Sequence, residues 1–571
     1  KGDFAKKHND GIHHRGALGV MCSYNSINNI PACTHPHLKA LLRDQWNFTG
    51  YIVSDCWAIA NIYEHHHYAN SLPEAAGKAL QAGVDLDCGD TIQGYGMEAL
   101  QNGYATVQDL DGALAHLFGV LMDVGYFNEY PEPQSLEGDM LLDVEGQEVD
   151  AQKECHDQLA LEAALQSIVL LKNNNGHNKP SPLEVSSVAS NQLPSLPLSI
   201  ATHKKVRLIG PLANNETIPL GNYHGLPSNA ITPLDGLRSL GVDVEYIPGG
   251  FIAGSTNENL QKFNEALADA DALCQRMTTT NSVDVTILMM GLDQSIEAED
   301  KDRTSLLLPQ VQRQLIEGAA QCSKAHSPAT PVILVVATGG PLDLSAYKDD
   351  NDIDAILYTS YLGQAAGTAM AHVLYGMYNP SGRLVTTLYP NSYMDKVDLQ
   401  DMRMRPEQSS GDFKENDHSD EQLYPGRTYR FYNGPVVYPF GYGLSYTSWE
   451  YSLEFIMTNT AAAIFHSEEK EHSITGIEVI VANTGPMDGS NAILLFHQGP
   501  KAGTGGNPIK TLVGFEKVLV QAGGVRQVQI RLEGQFLRDI RNEVGRHTFL
   551  VGPNGRGRLE SFVQEDRIIA W

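Results

Sequence analysis

Two stretches of this sequence place carboxylates where a folded chain could use them. In Tyr51-Ile52-Val53-Ser54-Asp55-Cys56-Trp57, an apolar, β-branched run ends in a small polar residue, an acid and a thiol. Buried parallel strands read this way, and the residues just after such a strand stand at its C-terminal tip. A carboxylate there costs desolvation free energy unless it is paired or used. Asp55 is therefore a candidate nucleophile, against the plainer alternatives of a helix cap or a satisfied core carboxylate. The second stretch comes after the apolar run 283–290 and carries Asp293, Glu297, Glu299, Asp300 and Asp302, more acid than a turn requires. Such loops are usually solvated charge and nothing more. This one leaves the C-terminal end of a strand, where open α/β sheets bind ligands. Crowded carboxylates also help one of their number keep the proton that a general acid must give.

The elements that must hold these acids are set by the apolar periodicity. Residues 18–90 alternate strand and helix patterns. Gly19–Tyr24 reads as a strand, 37–46 as an amphipathic helix with apolar residues at 38, 41 and 42, and Tyr51–Ser54 as the next strand. A helix opened by Pro73 runs from Leu72 through Ala82, and Val84–Cys88 is a further strand with acids at its end. This is the grammar of a (β/α) barrel, but only about three such units fit before residue 150, well short of closure. Helix-rich sequence through Leu159–Lys172 and a loop over 173–205 come next. A second α/β region then has strands at 206–210, 243–247, 283–290, 332–337 and 354–358, alternating with helices such as Pro309–Ala320. It predicts a parallel sheet covered on both faces. Residues 391–437 are polar and irregular, with 409–421 a solvated insertion. Short strands at 476–482, 492–497, 526–532 and 547–551 then predict a small antiparallel β-sandwich. The expected fold class is multidomain, α/β plus β. The expected divisions are 1–150, a partial barrel; 151–395, an α/β sandwich carrying the acidic loop; 396–445, a linker or insertion; and 446–571, a β-sandwich.

The bulk properties narrow the function class. A chain of 571 residues suits about three or four domains. A net charge of −28 disfavours nucleic acid and anionic membranes as partners. No apolar run is long enough to span a bilayer. The seven cysteines form no CxxC pairs, which argues against structural zinc. His65-His66-His67 are consecutive and cannot all face one ion on a helix, so no metal site is expected. Gly339-Gly340 comes after a strand without a P-loop lysine or a GxGxxG pattern, so no nucleotide cofactor is expected. The sequons at Asn47 and Asn215 support a secreted glycoprotein, though only weakly, since such tripeptides are common.

A set of motifs spans nearly the whole chain: Val20-Met21-Cys22-Ser23-Tyr24-Asn25; Val53-Ser54-Asp55-Cys56; Asp85-Leu86-Asp87-Cys88-Gly89; Ile168-Val169-Leu170-Leu171-Lys172-Asn173; Ile296-Glu297-Ala298-Glu299 with Asp302-Arg303; Asn379-Pro380-Ser381-Gly382-Arg383-Leu384; and Tyr424-Pro425-Gly426-Arg427 leading to Pro439-Phe440-Gly441-Tyr442-Gly443. In this order and spacing the chain resembles glycoside hydrolase family 3, and within it the fungal β-xylosidase type. The resemblance implies a retaining β-glycosidase built from a barrel, an α/β sandwich and a fibronectin-III-like sandwich, acting on xylo-oligosaccharides outside the cell. β-Glucosidase and α-L-arabinofuranosidase activity are the alternatives within the family, and an inactive remnant is the alternative outside enzymes. Asp55 matches the family's nucleophile, and Met21 and Tyr24 match residues lining the sugar subsite. Glu299 is the first choice as acid/base, because the family pattern places a Glu shortly before Asp-Arg; Glu297 is the second. Arg303 is expected to hold the loop by a carboxylate pair.

Cys56 stands directly after the nucleophile and Cys88 ends the next strand. Adjacent parallel strand tips are close enough for a disulfide, against the alternative of two buried thiols. Such a bridge would fill the space a hexose needs for its hydroxymethyl group and so favour a pentose. Cys22 and Cys33 are candidates for a second bridge. Trp57 and Tyr24 are candidates for stacking on a sugar face, and Trp46, on its amphipathic helix, is expected in the core. Two features depart from the family. Asp55 stands near residue 1, which leads us to expect an N-terminally truncated chain lacking roughly five barrel units. Near Ala366 the family usually has glycine, and a methyl group there is expected to crowd the pocket.

Overall fold

Gly19–Cys22 (β1) pairs in parallel with Tyr51–Ser54 (β2), with Val20 opposite Ile52 and Cys22 opposite Ser54. The structure, a computed structural model, describes residues 17–127, 141–142, 148–149, 151–173, 194–227, 229–248, 274, 282–299, 301–399, 401–407, 424–459, 472–552, 557–564 and 567–570. It divides into two units, Lys1–Met140 and Leu141–Trp571.

In the first unit the strand expected over 84–88 is reduced to one parallel bridge, Val53 to Leu86. Main-chain bonds from Asp85 N and Leu86 N to Ile52 O and from Ser54 N to Leu86 O remain, but the Ile52 amide is taken by the Asp85 side chain, at Oδ2 and 2.6 Å, instead of by a main-chain carbonyl. The predicted helix over 37–46 forms over Leu38–Gln45 as a wide turn closed by i→i+5 bonds, such as Trp46 N to Leu41 O at 2.9 Å. Leu38 and Leu42 pack on the core around Ile52, Ile59 and Ile62. Trp46, expected in that core, is 65% exposed, because the wider turn carries it off the face that 38 and 42 define. The helix at Leu72–Ala82 forms with the predicted bounds. The Ser71 hydroxyl caps it by accepting from the Glu74 amide, Pro73 sits in its first turn, and Gly83 at φ 96° ends it.

The second unit holds a six-stranded sheet and a sandwich. The sheet strands are Val169–Asn173 (β3), Lys205–Ile209 (β4), Asp243–Ile247 (β5), Val285–Gly291 (β6), Val332–Ala337 (β7) and Ala355–Thr359 (β8). They lie in the order β3-β8-β7-β6-β4-β5. Five run parallel; β3 is antiparallel to β8. The sequence pattern missed this edge strand, reading the stretch Leu159–Lys172 as helix-rich. The helix in fact ends at Ser167, and Val169–Leu171 are buried as a strand. β6 is buried along its whole length, the signature of a central strand with helices on both faces. The solvated insertion expected at 409–421 lies outside the described residues.

The C-terminal strands form two antiparallel sheets. One contains Trp449–Asn459, His472–Asn483 and Val525–Arg531. The other contains Thr511–Val520, Gly489–Gln498, Gly545–Val551, Gly557–Gln564 and Arg567–Ala570. They enclose one core that includes Ile477, Leu495 and Phe549. Four of these strands were anticipated; the other four, including Trp449–Asn459 with apolar residues at 449, 451, 453, 455 and 457, were missed. Asn379 ties the sandwich back to the α/β domain: its Nδ2 donates to Asp488 O at 3.1 Å, and its Oδ1 accepts from Ser445 Oγ and the Tyr446 amide, just before the first sandwich strand, both at 2.8 Å.

Candidate active site

Asp55 stands one residue beyond the end of β2, half-buried, with its main chain held on both sides. Its amide donates to Cys22 O at 2.9 Å and its carbonyl accepts from the Ala58 amide at 3.0 Å. Its Oδ1 accepts only from the Cys56 amide, at 2.9 Å, among the described residues. The carboxylate does not cap the helix Ala58–Glu64; the residue before that helix is Trp57, at φ 65°. A carboxylate fixed by its backbone, with its side chain left largely uncommitted, suits a nucleophile better than a structural group.

Behind the tip, Asp85 gathers Arg43 and His116, two residues that the sequence pattern did not single out. Asp85, with a side chain 1% exposed, receives Arg43 Nη2 at 2.5 Å and His116 Nδ1 at 2.9 Å besides the Ile52 amide. Burial raises the Asp85 pKa and lowers that of Arg43. Desolvation therefore opposes both charges, and hydrogen bonds hold the pair together. The Ser54 hydroxyl donates to Asp87 Oδ1 at 3.3 Å and accepts from the Cys88 amide at 2.9 Å. The alternation Val-Asp-Leu-Asp-Cys at 84–88 was the available signal, since two acids in a strand-like run need buried partners.

Both anticipated bridges of this unit are present, Cys22–Cys33 and Cys56–Cys88. A third, Cys274–Cys322, was not anticipated, and Cys155 is a free, exposed thiol. The Cys56–Cys88 bridge begins at the residue after Asp55. Met21, Tyr24 and Trp57 are exposed, 56%, 37% and 54%. Of the three histidines, His66 Nε2 lies 2.7 Å from Tyr24 O and His67 Nδ1 3.1 Å from Tyr63 O.

The acidic loop leaves β6 in the second unit. Gly291 ends that strand at φ 148°, where a Cβ would lie 1.9 Å from Ala337 O. The buried Gln312 amide group satisfies both Gly291 N and Gly291 O, at 2.8 and 2.7 Å. The loop then folds on itself. The Ser295 amide donates to Asp293 Oδ1, and the Lys301 amide closes a turn on Ala298 O at 3.1 Å. Glu299 is the first residue inside that turn. It is exposed and borders a cavity of about 870 Å³ whose other walls include Arg303, Gly339, Tyr361, Tyr393 and Arg427. Among the described residues, no hydrogen bond or ion pair engages its carboxylate. Glu297 is the opposite case, with its side chain only 12% exposed, both oxygens bonded, and Arg303 Nε at 3.3 Å as its ion-pair partner. Arg303 thus holds the loop by a carboxylate pair. Ala366 is buried at the start of the helix Ala366–Leu374, and it is not among the residues that line the cavity.

Residues 4–120 match the N-terminal domain of glycosyl hydrolase family 3, and residues 168–446 match that family's C-terminal domain. Together they cover more than half of the chain. The chain belongs to glycoside hydrolase family 3. It is 35% identical to "Beta-D-xylosidase 1" of Arabidopsis thaliana, over 95% of this chain and 65% of that protein. It is 35% identical to "Beta-xylosidase/alpha-L-arabinofuranosidase 2" of Medicago sativa subsp. varia, over 90% and 61%. To "Exo-1,4-beta-xylosidase xlnD" of Aspergillus niger it is 33% identical, over 91% and 60%. The chain thus spans 60–65% of the length of these relatives. Plant and fungal relatives stand at similar identity, so the family 3 assignment carries no fungal subtype. Among solved structures, a family 3 exo-β-xylosidase in complex with a xylobiose aziridine probe superposes with a TM-score of 0.72 at 28% identity, covering 97% of this chain and 66% of that one.

Proposed function

We propose that this family 3 chain carries the catalytic residues of a retaining exo-β-xylosidase, removing xylose from the non-reducing ends of β-1,4-linked xylo-oligosaccharides. The observation that carries the reading is Asp55, a carboxylate at a parallel strand tip with its main chain fixed and its side chain uncommitted. Asp55 attacks the anomeric carbon while the carboxyl of Glu299 gives its proton to the departing glycosidic oxygen, leaving a xylosyl ester on Asp55. Glu299, now a carboxylate, takes a proton from water. The water attacks the same carbon and frees Asp55, so configuration is retained. Met21, Tyr24 and Trp57 would contact the sugar, Trp57 by stacking on its C–H face.

Preference for a pentose is assigned to the Cys56–Cys88 bridge, which adds rigid volume beside the nucleophile. A hexose would have to fit its hydroxymethyl group against it. The Medicago relative named for both activities supports α-L-arabinofuranoside hydrolysis as a second activity of the same residues. Three disulfides and two sequons suit a secreted protein working in an oxidising compartment. No described helix is long and apolar enough to cross a membrane.

The test is hydrolysis of aryl β-xylosides, β-glucosides and α-L-arabinofuranosides by this chain. The expected result is β-xylose released with retained configuration. Faster release of glucose than xylose would overturn the substrate assignment. No release of any sugar would leave a remnant without this activity.

A further inference from the structure

Glu297 and Glu299 are two residues apart on one loop, both face the same cavity, and either could be offered as the proton donor. Their surroundings separate them. Glu297 Oε1 accepts from the Gly339 amide, from Thr338 Oγ1 at 3.1 Å and from Tyr361 OH at 2.6 Å. Its Oε2 accepts from the Gly340 amide at 3.2 Å and faces Arg303 Nε at 3.3 Å. Every one of these contacts is satisfied by the carboxylate form. Apart from Arg303, on the loop itself, the donors come from the turn after β7 and from the segment after β8, so one side chain joins the loop to the ends of two neighbouring strands.

The receiving turn has little room for anything else. A Cβ on Gly340 would lie 2.5 Å from Arg303 Nη2, and one on Gly339 would lie 3.2 Å from Glu297 Oε1. Tyr358, from β8 itself, donates its hydroxyl to Gly340 O at 2.9 Å and braces the turn from below. From Glu297 the chain has only Ala298 before Glu299, and the Ala298–Lys301 turn is closed by its own hydrogen bond. Fixing Glu297 therefore fixes the Glu299 backbone to within one rotatable residue.

We infer that Glu297 is a positioning residue: its carboxylate pins the loop to the Thr338–Gly340 turn and Tyr361, and so sets where the Glu299 carboxyl stands. This inference rests on Glu299 as the acid/base for its catalytic consequence, but the pin itself is independent of that reading.

Two readouts separate them. The first is hydrogen exchange, which needs no activity. In Glu297→Gln and in Tyr361→Phe, amides of 294–303 and of Gly339 and Gly340 should exchange about tenfold faster than in the parent, with the rest of the sheet unchanged. Unchanged exchange in both variants would overturn the pin whether or not the chain hydrolyses xylosides. The second readout is kinetic. Misplacing the acid should cost Glu297→Gln about 100-fold in kcat with little change in KM. The loss should grow with the pKa of the leaving phenol, because good leaving groups need no acid. The alkaline limb of the pH profile should remain, since Glu299 still supplies the proton. Glu299→Gln should lose that limb and regain turnover with azide. If azide instead rescued Glu297→Gln and left Glu299→Gln unchanged, Glu297 would be the acid/base and the positioning role would be wrong. If neither variant changed activity while exchange rose in Glu297→Gln, the pin would stand and the acid/base reading would fall.

Discussion

The tip of β2 and the loop after β6 both present a carboxylate at the end of a parallel strand, yet they hold it by different means. Asp55 is placed by main chain: a ladder to β1 and a carbonyl that starts a helix, on a strand whose Ile52 amide is held by Asp85, itself paired with Arg43 and His116. Glu299 is placed by side chain, two residues from a carboxylate that gathers donors from elsewhere in the sheet. The role proposed for Asp55, attack along one line, would gain from a rigid strand tip; the role proposed for Glu299, giving a proton and taking one back, can be met from a turn if the turn itself is tethered.

Changing the two acids tests that contrast most directly. Asp55→Asn should remove xyloside hydrolysis by roughly 10⁴-fold or more, with no covalent xylosyl intermediate detectable by mass spectrometry. Glu299→Gln should cost about 10²–10⁴-fold with poor leaving groups and far less with activated ones, measured across a series of aryl xylosides. Equal sensitivity to leaving group in both variants would erase the distinction.

Beneath the rigid tip, Asp85→Ala strands the Arg43 guanidinium without its buried partner. A loss of about 3–5 kcal/mol in the unfolding free energy of the first unit is expected by urea titration. A loss under about 1 kcal/mol, the scale of an exposed pair, would mean the tip does not depend on it.

Acid should weaken a third place. In the sandwich, His497 Nε2 lies 2.9 Å from His547 Nδ1, and His547 Nε2 faces Glu543 O at 2.8 Å, with Phe536 and Phe549 packed around His497. Burial, with His547 adding to it, lowers the His497 pKa from 6.5 to about 3. The unfolded chain then binds the proton first. The contribution to stability is complete above about pH 6.5 and falls by up to about 1.4 kcal/mol per pH unit below it, until the folded residue also titrates. His497→Leu should flatten the melting temperature between about pH 7 and 5, the range in which the unfolded histidine titrates; an unchanged slope would remove His497 as its cause.

The smallest effect concerns specificity. Cys88→Ser opens the bridge next to Asp55 and should narrow the preference for xylose over glucose by roughly tenfold or less, read from kcat/KM on the paired aryl glycosides. An unchanged ratio would separate the bridge from pentose selection.

Much of this was legible from residue order. Buried strands announce themselves by composition, so β2, β6, β7 and the tip at Asp55 could be placed without coordinates. So could the helix Leu72–Ala82, because Ser71, Pro73 and Gly83 mark its ends. The edge strand Val169–Asn173 was hidden because it runs straight on from a helix with no turn residue between them. Cys274–Cys322 joins positions that no local pattern links.

By itself the sequence determined which carboxylates were candidates, since an acid at the end of an apolar run is a local feature set by alternation and chain direction. Only the tertiary structure separated the surroundings of Glu297 from those of Glu299. Whether a carboxylate is consumed or left free depends on donors that Gly339, Gly340 and Tyr361 bring to it from other strands, and no spacing within the loop encodes them.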